Sequence, residues 1–117
     1  MQNFNVMKKL IALIYWGLIT SNLNAAIIHI PADYLQIQQG INNANNGDTI
    51  LVQPGVYAEQ LNFSGKNIVV ASVFLLTNDT ADIASTIIAP NNLSGLEKSV
   101  ITFENNETSD AQLIGFT

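Results

Sequence analysis

Hydrophobic positions recur along this chain with two different periods, and the change between them is the most informative feature of the sequence. Residues 27–30 (IIHI) are β-branched and stop at Pro31, which predicts a short strand. Between Gln36 and Asn45 the apolar positions are Ile37, Ile41 and Ala44, one narrow stripe on a short helix. Asp33, three residues before Gln36, has the spacing of a capping box, and Asn46-Gly47 supplies a helix stop. From there the period becomes two. Residues 49–53 (TILVQ) read as a strand closed by a Pro54-Gly55 turn, residues 59–63 alternate with Leu61 and Phe63 on one face, and residues 67–74 (NIVVASVF) form a longer apolar strand. Residues 75–85, with Asn78-Asp79-Thr80 and Asp82, read as a loop. Residues 86–89, 99–103 and 111–116 are three further short strands between turn-forming segments.

Ahead of this pattern lies a different one. Met7-Lys8-Lys9 is a short positive region, residues 10–19 (LIALIYWGLI) are an apolar run, and Leu23-Asn24-Ala25-Ala26 ends in small residues. That order is the pattern of a secretory signal peptide, with cleavage expected after Ala25 or Ala26 and export as the consequence. The run is shorter than the roughly 18–20 residues that a stable bilayer crossing requires, so no membrane span is expected after removal of the signal. The division is therefore residues 1–25 as signal peptide and 26–117 as one small domain.

Composition narrows the classes. Charged residues are 11% and hydrophobic residues 48% of the 117, which excludes a disordered chain or a coiled coil. The segment after the leader holds Lys66 and Lys98 as its only cations against nine acids, so nucleic-acid binding is excluded on charge. With no cysteine there is neither a disulfide nor a thiolate site. One helix followed by about six short strands suits a sandwich, a barrel or a β-solenoid. The 15 asparagines, which past residue 60 fall at turns or strand edges, favour the solenoid, where side-chain amides bridge one turn to the next.

A family resemblance sharpens this. Residues 30–41 (IPADYLQIQQGI), Gly47-Asp48-Thr49-Ile50 and residues 52–59 (VQPGVYAE) resemble the opening of secreted, right-handed parallel β-helix proteins of the pectin-lyase-like group; Gly65-Lys66-Asn67-Ile68 and Gly115-Phe116-Thr117 are similar to that group's coils. The resemblance implies an all-β fold, a right-handed parallel β-helix with a short N-terminal capping α-helix. Tyr57 would pack its ring against the turn. Where the group usually has Thr or Ser just before Ile-Gln, this chain has Gln36, so Asp33 would have to cap the helix. Too few strands follow to complete a solenoid with a cap at each end, so the chain is expected to be the N-terminal piece of a longer protein.

The chemistry-bearing residues are sparse. Glu59 is a lone carboxylate beside a turn with no paired partner, which predicts a backbone-bound or solvated role rather than acid–base catalysis. His29, the only histidine, lacks the partners of a triad or a metal pair. Asp79, Asp82, Glu104, Glu107 and Asp110 are scattered over loops, and no run of alternating aspartates marks a calcium loop; calcium enters only through the resemblance. Lys66 and Lys98 are the only candidates for the base that such lyases use. The N-x-S/T sequons at Asn62, Asn78, Asn92 and Asn106 are read as a by-product of asparagine richness. No catalytic, cofactor-binding or metal-binding residue is assigned. The expected function is that of a secreted protein that binds or processes polysaccharide, with any active site on coils beyond this segment. The alternative is a non-enzymatic, adhesin-type structural protein at the cell surface, since a fold does not settle a function.

Overall fold

A computed structural model describes residues 24–91 and 99–117. The proposed signal segment falls almost wholly outside these residues, as do Asn92 and Lys98. The described elements, in chain order, are β1 (Ile27–Ile30), α1 (Ile37–Asn43), β2 (Thr49–Val52), β3 (Gly55–Ala58), β4 (Leu61–Asn62), β5 (Val69–Ser72), α2 (Phe74–Thr77), α3 (Thr80–Ser85), β6 (Thr86–Ala89), β7 (Ile101–Thr102) and β8 (Gln112–Ile114).

All strand pairing is parallel. One sheet has the order β1-β2-β5-β8, and two smaller sheets pair β3 with β6 and β4 with β7. Register in the larger sheet aligns Ile28 with Ile50, Val70 and Leu113, and Ile30 with Val52 and Ser72. These aligned positions face the core, because side chains two apart on a strand share a face. Ile30, Ile50, Val52 and Val70 are wholly buried there with Leu61, Phe63 and Ile68. Ile37 and Ile41 of α1, also fully buried, join the same cluster, so the stripe read from the sequence is the face the helix turns inward. Gly40 lets that face approach closely: a Cβ there would sit 3.2 Å from the Cδ1 of Ile30. Truncating Ile41 to Ala would leave a cavity between helix and sheet costing about 2–5 kcal/mol.

The expected all-β, right-handed parallel β-helix with a single capping helix is corrected by this architecture. Among the described residues helix makes up about 20% and strand 31%, in three helices and three separate sheets of short parallel strands that do not close. The segment 75–85, read as a loop, is largely helical. Its polar residues are the helix boundaries: Asn78 ends α2 in the left-handed conformation at φ 55°, and Asp79 caps α3 by accepting from the Ala81 N–H at 2.9 Å. The strand expected over 67–74 is confined to Val69–Ser72, because Phe74 already begins α2. Gly55, read as part of a turn, opens β3 instead, and β4 keeps only two residues of the strand expected over 59–63.

Two boundary assignments of α1 also change. Asp33 does not cap it; its carboxylate accepts from the His29 N–H at 2.7 Å. Gln36 at the N-cap position makes no side-chain capping bond, and Ala44 rather than Gly47 is the C-cap. Gly47, at φ 91°, serves the tight turn into β2, where a left-handed residue is needed.

Candidate functional site

Where the charged side chains go decides what this fold can do. Glu59 lies buried between β3 and β4, and its two oxygens accept from the first N–H groups of α1: Ile37 at 2.9 Å and Gln38 at 3.0 Å. A helix start leaves such donors unpaired and carries a partial positive charge, so a carboxylate there is doubly favoured. At the other end of α1 the ammonium of Lys66 donates to the carbonyls of Ile41 and Asn42, both at 2.8 Å. One short helix is thus held by an acid at its start and a base at its end, both supplied by the following strands and turns. Neither group is available as a general acid or base.

The remaining acids follow the same rule. The buried Asp48 accepts from the Ala26 and Asn45 N–H groups, each at 2.8 Å. Glu107 accepts from the N–H groups of Gly65 and Asn105, again at 2.8 Å. Desolvation works against its ionised form, but those backbone donors outweigh it and hold the carboxyl below its usual range. Asp79 caps α3, Asp82 accepts from the Thr77 hydroxyl, and Asp110 faces the Thr108 hydroxyl. The side chains of Glu104 and His29 are exposed, while their backbone N–H groups serve the carboxylates of Glu107 and Asp33. Among the described residues no three acids or histidines converge on a point where a metal ion could sit. Calcium takes six to eight oxygen ligands, whereas the described carboxylates are spread apart, most of them bound singly to backbone amides or hydroxyls.

Tyr57 braces the start of β3 at Gly55. Its ring lies over that glycine and its hydroxyl donates to the Gln53 carbonyl at 2.8 Å. Desolvation, with the nearby Glu59 charge second, pushes the phenol above its usual pKa.

The feature with binding character is an open groove that sequence reading did not find. It runs past the N-terminal ends of the strands in the larger sheet. Its main part is a depression of about 530 Å³ lined by Asn46, Gly47, Asp48, Asn67, Val69, Asp110 and Gln112. A smaller one of about 210 Å³, lined by Asn24, Ala25, Ala26 and residues 45–48, continues it towards β1. The walls are tied together by asparagines. The Asn67 N–H donates to Oδ1 of Asn46 at 2.9 Å, and Oδ1 of Asn67 accepts from the Thr108 N–H at 2.8 Å. Both amide nitrogens are left without a partner among the described residues. These positions are 21 and 41 residues apart, so no local sequence motif marks them as neighbours.

No protein-family model matches the chain, and comparison with curated proteins and with solved structures found no relative. Among the described residues no helix is long and apolar enough to cross a membrane.

Proposed function

We propose that this is an exported protein that binds polysaccharide, and that the residues described here contribute a binding surface and not a reaction centre. The observation that carries this reading is the open groove edged by the neutral amides of Asn46, Asn67 and Gln112 and the carboxylate of Asp110, donors and acceptors that suit a hydroxyl-rich chain. The leader-like sequence supports export, and the capture of Asp48, Glu59 and Glu107 by backbone amides argues against cleavage by these residues. The test pairs two measurements on the full chain. One is sedimentation with insoluble polysaccharides; the other follows new reducing or unsaturated ends in soluble ones. Retention without new chain ends is the expected result, and new ends abolished by a substitution among the described acids would overturn it.

A second reading, a structural surface protein without a ligand, is favoured by the same use of the acids as internal fasteners. Failure to be retained by any polysaccharide would select it.

A further inference from the structure

The groove has a charge character that restricts its ligand. Around it, Asn46 and Asn67 each use the amide oxygen to accept a backbone N–H, which leaves both Nδ2 groups as donors. Beside them Asp110 and Gln112 are exposed; one carboxylate oxygen of Asp110 faces Thr108 at 3.4 Å and Nε2 of Gln112 reaches the Ser109 carbonyl at 3.4 Å, leaving an oxygen on each as an acceptor. Donors and acceptors set side by side along the strand ends match a hydroxyl group, which gives and takes one hydrogen bond at once. Among the described residues that line the groove there is no Lys or Arg, and the Lys66 ammonium is held by the two carbonyls at the end of α1.

From this arrangement we infer that the groove takes an uncharged polysaccharide chain, lying across the strand ends and held by the Asn46 and Asn67 amides and by Asp110 and Gln112. Uronates, sulfated chains and other anionic glycans are rejected, since their charge would face Asp48 and Asp110 with no Lys or Arg among the described lining residues. Strands side by side at about 4.8 Å give the four-strand sheet a groove of roughly 14 Å, long enough for a few sugar units and too shallow to enclose one. The inference rests on the polysaccharide-binding reading and adds the ligand's charge class and the residues that hold it.

The experiment measures binding of the full chain to xyloglucan and glucomannan as neutral probes and to polygalacturonate as the anionic one. The D110A/Q112A double variant is compared with Val56→Ala, an exposed substitution on β3 away from the groove. Expected are binding to a neutral chain but not to polygalacturonate, a loss of about tenfold or more in the double variant from its missing hydrogen bonds, and no change in V56A. Side-chain amide signals of Asn46 and Asn67 shifting on addition of the neutral chain to the unaltered protein provide a readout independent of whether the double variant folds. Neutral-chain binding that leaves those signals and the double variant's affinity unchanged would overturn the groove while preserving the polysaccharide reading, and preference for polygalacturonate would overturn the charge assignment. Absence of binding to all three would sink both.

Discussion

Glu59 and Ile37 stand 22 residues apart in the chain, yet the carboxylate of one closes the first turn of the helix that begins with the other, at 2.9 Å. The bond converts a weak helix into a fixed lid on the core. Alone, a helix of seven residues does not persist in water, and this one has no capping side chain of its own. Replacing Glu59 by Gln leaves one acceptor where two are needed and points an amide NH2 at a backbone donor. The expected loss is about 2 kcal/mol, within the range for hydrogen bonds to a buried charged group. Urea unfolding of E59Q, with a lower midpoint and an unchanged slope, checks it.

Lys66 is the counterpart at the other end. Lys66→Met keeps the aliphatic stem and removes the two bonds to Ile41 and Asn42 carbonyls, which are accessible to water on the Asn42 side. The expected cost is about 1 kcal/mol, smaller than at Glu59 because solvent can replace part of what is lost. If the two residues act through the same helix, the double variant E59Q/K66M loses less than the two single losses combined, since a helix already frayed at one end has less to lose at the other. Additive losses in a double-mutant cycle would show that the ends are independent.

Helix α1 and several of the short strands were legible from local pattern alone. Ile37, Ile41 and Ala44 lie on the buried face, and the segments 27–30, 49–52 and 86–89 are strands. What misled were residues whose meaning depends on neighbours far along the chain. Pro54-Gly55 has turn chemistry, but Gly55 pairs with Thr86 and begins a strand. Asn78-Asp79-Thr80 is as polar as a loop because it holds the end of one helix and the start of the next. Gln36 correctly signalled a missing cap; the donor's partner was sought three residues away at Asp33 and was found at Glu59. The groove is the extreme case. Its walls come from four separate segments, and only the parallel register sets them side by side.

Glycine positions offer a graded test of the turns. Gly65 and Gly47 both have positive φ, 76° and 91°, so an alanine at either adopts a disfavoured conformation. They differ in surroundings. A Cβ at Gly65 would lie 2.7 Å from the Asn105 carbonyl oxygen, whereas a Cβ at Gly47 meets nothing within 4 Å. Gly47→Ala is therefore expected to cost about 1 kcal/mol from backbone strain alone. Gly65→Ala must in addition displace the 105–107 loop that Glu107 fastens, and its thermal midpoint should fall clearly further. Equal midpoints in the two variants would contradict the close approach.

Glu107 gives the fold a dependence on acid. Its carboxyl is held below the usual carboxylate range in the folded chain: desolvation pushes it up, but N–H donors of Gly65 and Asn105, with those of Glu107 and Glu104, pull it further down. A folded pKa below the unfolded one means that the ionised group favours the fold. The contribution is complete above the unfolded value and disappears as the pH falls through the folded one. Amide hydrogen exchange at Gly65 and Asn105 should accordingly lose protection, relative to the intrinsic rate, as the pH falls past the usual carboxylate range and through the lowered folded pKa. In Glu107→Gln the same amides should lack that pH step, because the amide side chain does not titrate. A step of equal size in E107Q would place its origin in another group.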